Sequence, residues 1–291
     1  MLSILIPTFN DDLRPLLQDL CSQIQSLKVA VEIIVGDDHS DRPESYANLE
    51  DLGPVKLFRN PKNLGRTATR DVLAQKATYH TLLFLDADVI PSNEDFLKRY
   101  LAQIDKASVV FGGVSYSAER PKKSLLLRWV YGRGREAKTA EQRKRNPYYI
   151  ISQNLLIKKD VFLSINASEI QRYGWDNVFS FQLYKQGVEV LHIDNPVLHM
   201  GLESCDNYLD KVNQAMNTLV WAERQGMISK DFTSIQKFYN QLNTLCVAGL
   251  MRQILKPCLP LMRRQLASGI PSIRVLDLYK FYYFSWYKNK A

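Results

Sequence analysis

Apolar runs at residues 1–7, 31–35 and 81–85 each break abruptly into a polar cluster: Pro7-Thr8-Phe9-Asn10, Gly36-Asp37-Asp38 and Asp86-Ala87-Asp88. Runs of this length, bounded by turn-forming residues, read as strands buried on both faces. Shorter strands are predicted at 55–58, which ends at Arg59-Asn60-Pro61, and at 109–111. Helix-spaced apolar residues fill the intervals. The clearest case is 11–27, with Leu13, Leu16, Leu17, Leu20, Ile24 and Leu27, and further helices are expected at 42–52, 65–78 and 94–104. Strands that are apolar throughout and alternate with helices predict an α/β fold: a mostly parallel central sheet flanked by helices.

In such a sheet, ligands bind outside the carboxyl ends of the strands. The polar clusters fall at those ends, so Thr8, Asn10, Asp37, Asp38, Asp86 and Asp88 are expected to converge on one crevice although they come from different strands. Asp86 and Asp88 sit two residues apart, so both carboxylates project to one face while Ala87 turns away. Two hard oxygen donors on a rigid base suit Mg²⁺ or Mn²⁺ shared with substrate phosphates. The acid-x-acid triplet is common by itself; the preceding Leu82-Leu83-Phe84-Leu85 run gives it weight. The competing reading of these acids is a helix N-cap before Pro91. For Asp37 and Asp38 it is a solvated turn, since Asp-Asp-His-Ser-Asp is good turn chemistry.

The chain has 291 residues, 46% hydrophobic and 23% charged, enough to bury a core and too apolar for a disordered chain. Four cysteines, Cys21, Cys205, Cys246 and Cys258, fit no metal or redox spacing and read as free thiols in a reducing compartment. The first residues lack the basic and apolar regions of a signal peptide. No apolar window of roughly 18 residues predicts a transmembrane helix. The expected location is the cytoplasm.

The net charge of +8 is uneven. Residues 120–145 carry ten Lys/Arg against two acids, and residues 252–291 carry eight against Asp277 alone. Two basic segments on an acidic remainder suggest anionic partners at defined places. Beyond residue 204 the pattern becomes helical, with helices expected at 206–225 and 232–255, a break at Pro257 and Pro260, and an aromatic, lysine-rich tail over 278–290. The expected organisation is a first domain over 1–204 and a helical basic and aromatic extension over 205–291.

The blocks IPTFN, IVGDDHSD, RNPKNLGRTATRD and LLFLDADV, in this order, together resemble a family 2 glycosyltransferase of the GT-A fold. Downstream, NPYYIISQNLLIKKDVF resembles the acceptor-side segment, and YGWDNVFSFQLYKQGVEVLHIDNPVLHMG the catalytic helix and following strand. The resemblance covers roughly residues 1–204 and is close to bacterial enzymes that build cell-surface polysaccharide.

The resemblance implies an inverting transfer of a sugar from a nucleotide-sugar, with UDP-sugar as the expected donor, to a hydroxyl of a saccharide or lipid-linked acceptor. It implies that Pro7, Thr8 and Asn10 form the first loop around the nucleotide. Asp38, with Asp37 beside it, resembles the carboxylate that reads uracil, and Arg66 the cation near base and phosphates. Asp86 and Asp88 are similar to the family's DxD pair, Asp88 as the direct ligand of Mn²⁺ or Mg²⁺. His199 resembles the distal metal or pyrophosphate contact; its competing reading is a satisfied core histidine. Trp175 is a candidate sugar-stacking face.

The resemblance departs at the catalytic base. Where the family has Glu-Asp, this chain has Asp176-Asn177, and asparagine cannot take a proton. Asp176 is the expected base; its other reading is a helix N-cap. Segment 120–145 reads either as contact with the acceptor or as a solvated basic surface. The tail reads either as a helical lid or as a peripheral contact with the inner-membrane surface through Trp286 and its neighbouring lysines. Two other classes remain open: a nucleotidyltransferase, which usually brings an early Gly-rich phosphate loop that this chain lacks, and a non-catalytic nucleotide-sugar-binding protein. No nucleic-acid partner is expected, because no recognised motif accompanies the basic runs.

Overall fold

The structure, a computed structural model, describes residues 1–42, 46–165 and 172–290. In chain order its elements are β1 (Leu2–Thr8), α1 (Arg14–Gln25), β2 (Val31–Asp37), β3 (Val55–Arg59), α2 (Arg66–Lys76), β4 (Thr81–Leu85), β5 (Val89–Pro91), α3 (Phe96–Leu101), β6 (Val109–Phe111) and β7 (Val114–Ser115). There follow α4 (Leu126–Tyr131), α5 (Ala140–Lys144), β8 (Asn154–Lys158), α6 (Lys159–Ile165), α7 (Asp176–Lys185), β9 (Val190–His192), β10 (Val197–His199), α8 (Cys205–Arg224), α9 (Ser234–Thr244), α10 (Ala248–Leu266) and α11 (Ile273–Asn289). The chain forms two compact units. The first takes Met1–Ser117, Glu136–Gln171 and Leu183–Gly201; the second takes Ala118–Arg135, Arg172–Gln182 and Leu202–Ala291.

The first unit is built on a seven-stranded sheet in the order β3-β2-β1-β4-β8-β6-β9, with a smaller sheet β5-β10-β7. Strands β3, β2, β1 and β4 run parallel, as the apolar runs predict. Strand β8 is inserted antiparallel to both β4 and β6, so the sheet is mixed on that side. Alternation of side chains sends Leu2, Ile4 and Ile6 to one face, where they join Leu83, Leu85 and the α1 residues Leu16, Leu17 and Leu20 in a fully buried core. The opposite face is packed closely: a methyl group on Gly36 would lie 2.9 Å from Leu73 of α2. That contact holds α2 against the carboxyl end of β2.

The expected helix at 42–52 falls partly outside the described residues; within them Leu49–Leu52 forms a single 3₁₀ turn. The expected helix at 232–255 is two helices. The chain breaks at Cys246, whose φ is +58°, and α9 and α10 meet at a bend of 116°. Pro257 and Pro260, expected to end the helix, lie inside α10. Proline removes the bonds to the Gln253 and Lys256 carbonyls. Both residues are exposed, so water satisfies those carbonyls and the helix continues.

In the second unit, α11 is a core helix: Tyr279, Phe281 and Phe284 are fully buried. Tyr279 and Leu276 pack with Tyr208, Leu209 and Val212 of α8 and Leu266 of α10. The tail aromatics are therefore mostly spent on packing, and the membrane reading of residues 278–290 gives way to this one. Side chains of Ser204, Thr233 and Ser272 cap α8, α9 and α11, each accepting an N–H from the first turn. Among the described residues, no single helix is long and apolar enough to cross a membrane.

Candidate active site

The parallel register sets Thr8 beside Asp37 and Pro7 beside Gly36, so the loops after β1 and β2 leave the sheet together. The Asp38 N–H donates to the Thr8 carbonyl at 2.9 Å. Tyr46 OH lies 3.1 Å from both Thr8 Oγ1 and Ser40 Oγ, and Ser40 Oγ accepts the Asn10 N–H at 2.9 Å. Asn10 has φ +63°, a conformation asparagine tolerates, and pairs reciprocally with Asp41 through two 2.9 Å bonds. Tyr46 and Asp41 were not foreseen from the sequence.

Asp37 and Asp38 are both buried. Asp37 accepts the Ser40 N–H at 2.8 Å and lies 3.4 Å from Arg59 Nε. Asp38 accepts three bonds of 2.8 Å, from Asn60 Nδ2 and from the Leu64 and Gly65 N–H groups. This carboxylate fixes the loop that leads into α2 and delivers Arg66.

Asp86 is buried at the end of β4 and faces two arginines. Arg70 Nη2 is 2.6 Å from one oxygen and Arg66 Nη1 is 3.2 Å from the other. The two arginines are four residues apart on α2 and so share a face. Arg66 is 56% exposed, whereas Arg70 is buried and also donates to the Ser152 hydroxyl and, at 3.1 Å, to the Ser152 carbonyl. Gln153 follows, its carbonyl accepting the Asp86 N–H at 3.2 Å. Because β8 is antiparallel to β4, its beginning lies at the rim where β4 ends, which brings Ser152 and Gln153 to the site.

Asp88 and His199 meet for a similar reason. β10 runs antiparallel to β5 with His199 opposite Val89, and the Met200 N–H donates to the Asp88 carbonyl at 2.8 Å. His199 Nε2 is 3.4 Å from Asp88 Oδ2. A methyl group on Gly201 would lie 1.9 Å from that oxygen, so only glycine leaves the carboxylate its place. The His199 ring lies 5.3 Å from that of Tyr116, whose hydroxyl bonds Glu136. Burial opposes charge on Asp88, but the His199 hydrogen bond and the His199 and Arg66 charges outweigh it and hold the carboxyl below its ordinary value. Asp11 responds in the other direction. Desolvation first, then the Asp88 charge, raise its pKa, with Phe9 N–H and Arg66 opposing. Asp11 is thus a third carboxylate in the field of this site.

The fit of a divalent ion can be read from the polar atoms left over. Asp88 Oδ1 and His199 Nδ1 are buried without a hydrogen-bond partner, as are Arg70 Nε and Gln153 Nε2. Among the described residues, no three His, Cys, Asp or Glu side chains cluster closely enough to form a closed metal site. One carboxylate and one imidazole, with Asp86 committed to arginines, fit an ion that completes its shell with substrate phosphate and water oxygens.

Trp175 and Asp176 belong to the second unit. Trp175 is 7% exposed with its indole N–H unpaired, so the ring offers little face for stacking. Asp176 is half-buried in the first turn of α7, next to the buried Trp175 and Val178. The basic segment 120–145 is neither wholly surface nor wholly site. Arg143 is buried and donates to the Gly112 and Ile193 carbonyls. Within the second unit, Arg128 lies over Tyr208 and Arg135 is 2.6 Å from Asp277. Lys122, Lys123 and Arg145 are exposed.

The mannosyltransferase PcManGT from Pyrobaculum calidifontis, solved with GDP-Man and Mn²⁺, superposes with a TM-score of 0.59 at 14% identity, covering 99% of this chain and 88% of that one. S. aureus TarS 1-349 with UDP-GlcNAc superposes at 0.53 and 17% identity, covering 99% and 90%. A longer TarS structure gives 0.51 and 19%, covering 75% of this chain and only 39% of that one. At these identities the likeness establishes the fold, which is GT-A. No curated protein matches the chain in sequence. Residues 3–165, more than half of the chain, match the family Glycosyl transferase family 2, and with its strand-end carboxylates in place this protein belongs to that family.

Proposed function

We propose that this protein transfers a sugar, with inversion, from a nucleotide-sugar to a hydroxyl of a saccharide or lipid-linked acceptor in cell-surface polysaccharide synthesis. The observation that carries the reading is the Asp88–His199 pair, with its unpartnered buried atoms, beside the Arg66–Asp86–Arg70 array. The solved complexes of the two neighbours with UDP-GlcNAc and with GDP-Man and Mn²⁺ support a nucleotide-sugar donor and a divalent ion. A UDP-sugar is the favoured donor. Four free cysteines fit a reducing, cytoplasmic setting.

In this reading Asp88 and His199 hold Mn²⁺ or Mg²⁺, which when bound supplies a Lewis acid for the departing diphosphate. Arg66 offsets the same developing charge from its exposed position, and Arg70 holds the Asp86 carboxylate in its orientation. Thr8, Asn10 and the Asp37–Asp38 loop shape the nucleotide pocket, with Pro7 setting the turn out of β1. Asp176, one residue before the position where the family has its base, takes the proton of the attacking hydroxyl through a small shift of the helix start. Inversion needs one displacement and no protein nucleophile.

The test is release of nucleoside diphosphate from a panel of UDP-sugars and GDP-mannose, with Mn²⁺ and after chelation, and product stereochemistry by NMR. Turnover that depends on the ion and gives the inverted product is expected; retention contradicts single displacement. Asp176→Asn is expected to abolish turnover with nucleotide affinity nearly intact. A specific observation favours a second reading: Asn177 stands where the family has its aspartate. Donor binding without turnover under every condition would identify a binding protein.

A further inference from the structure

We propose that the α9–α10 corner of the second unit docks on the surface of an anionic lipid bilayer. Helix α10 carries two apolar faces. Leu255, Met262 and Leu266 are buried. Leu250, Ile254 and Leu261 lie within about 40° of one another on a helical projection and about 120° from the buried set. They are 58%, 59% and 67% exposed, and Leu245, at the bend before the helix, is 69% exposed. A helix that needs one apolar face for its own core has no structural use for a second, and a contiguous exposed patch marks an interaction surface.

Charge identifies the occupant. From residue 232 to residue 276 the chain has six Lys/Arg and no Asp or Glu. Arg264 is exposed and flanks the apolar stripe, about 60° from its centre, with Lys256 exposed further round the same side, about 140° from that centre. The carbonyls freed by Pro257 and Pro260 lie on that same polar flank, where headgroups and water reach them. An apolar stripe with a flanking cation, in a basic stretch free of acids, is the pattern of a helix lying in the headgroup plane, with the stripe in the acyl boundary and Arg264 on anionic headgroups. A second copy of this chain is a poor occupant, because a two-fold contact through this face brings like charges together. The bend of 116° and the exposed Leu245 make the corner a wedge rather than a span. The inference is independent of the glycosyl-transfer reading, since binding to vesicles needs neither nucleotide nor metal.

Co-sedimentation of the full chain with phosphatidylcholine vesicles, with and without phosphatidylglycerol, tests the proposal. The protein is expected to pellet only with the phosphatidylglycerol vesicles and to be released by salt. Arg264→Gln is expected to lower partitioning about fivefold. Leu250→Ser/Ile254→Ser/Leu261→Ser, all at exposed positions, is expected to abolish pelleting with an unchanged circular dichroism spectrum. Equal binding to both vesicle types, or binding of the triple variant like the unmodified chain, overturns the proposal. So does a dimer in sedimentation equilibrium that the triple variant dissociates, which would assign the face to self-association. Should the triple variant misfold, the lipid and salt arms on the unmodified chain still decide the matter.

Discussion

Two pairs of aspartates sit at the carboxyl edge of the same sheet, and they are held in opposite ways. Asp37 and Asp38 are saturated from within: between them they accept four N–H donors at 2.8 Å, and Arg59 adds its charge. The second pair is divided. Asp86 is neutralised by Arg66 and Arg70, while Asp88 keeps one buried oxygen with no partner, facing a histidine whose Nδ1 is also unpaired. A buried carboxylate that has used its lone pairs is a brace, and one that keeps capacity in reserve is built for a ligand. Equal residues at equivalent strand ends thus differ in how fully their oxygens are bonded, and on the proposed function this divides them into brace and ligand holder; the difference turns on donors supplied from other parts of the chain.

The two pairs differ most in what the loss of Asp88 does. Asp88→Ala is expected to lower turnover by about a thousandfold, near 4 kcal/mol in transition-state stabilisation, with little change in the urea midpoint. Asp38→Ala is expected to strike stability first. It leaves the Leu64 and Gly65 N–H groups and Asn60 Nδ2 without their acceptor, and is expected to cost about 3 kcal/mol of stability in urea unfolding. If both substitutions lowered stability equally and neither affected turnover selectively, the division between brace and ligand holder would be wrong.

The sequence exposes one half of this division far better than the other. The strand-end carboxylates are local features: an apolar run stops, and its acids must lie at the rim. The parallel strands β1, β2 and β4 and the helices α1 and α2 follow from the same local signal. Arg70 was within reach of that reasoning, since it lies one helical turn beyond Arg66 and shares its face. Ser152 and Gln153 were not, because they begin a strand, and the rule that ligands gather at strand ends looks past beginnings. Only the antiparallel pairing of β8 with β4 brings them to the rim, and pairing direction is a long-range property. In the second unit, composition misled for a physical reason. Aromatics interleaved with lysines suit both a membrane face and a helix that buries its rings while its lysines reach water. The packing of Tyr279, Phe281 and Phe284 decides for burial. The proline signal failed at α10 because the carbonyls lost to Pro257 and Pro260 are on exposed residues.

A smaller perturbation sharpens the account of Asp88 without touching its chemistry. Gly201→Ala places a methyl group 1.9 Å from Oδ2, so the carboxylate must rotate away from His199. Turnover and Mn²⁺ affinity are expected to fall about tenfold, since misplacing a ligand is milder than deleting it. The readout is a Mn²⁺ titration of activity, in which added ion restores part of the rate. A rate loss that Mn²⁺ cannot relieve would mean that the methyl group acts on something other than the ligand.

The smallest expected effect concerns a carboxylate outside both pairs, Glu32 on β2, away from the rim. It is buried and accepts bonds from Ser3 Oγ at 2.7 Å, Lys56 Nζ at 2.9 Å, the Thr78 N–H at 2.6 Å and Thr78 Oγ1 at 3.0 Å. Burial raises its pKa, but the Lys56, Ser3 and Thr78 hydrogen bonds together exceed that penalty and leave the carboxyl below its ordinary value. By the criterion drawn from the two aspartate pairs, Glu32 is a brace, and its contribution has a defined pH sign. The folded state holds the ionised form more tightly than the unfolded chain does, so the stabilisation is complete above the ordinary carboxyl range and is lost as pH falls through the lowered folded value. Glu32→Gln is expected to cost about 1 kcal/mol at neutral pH, because Lys56 is largely exposed and its ion pair counts for little. In urea unfolding across acid pH, the two chains should converge as the unmodified protein loses this term. A gap that stayed constant into acid would assign the loss to packing, and the criterion of filled lone pairs would then not extend beyond the rim.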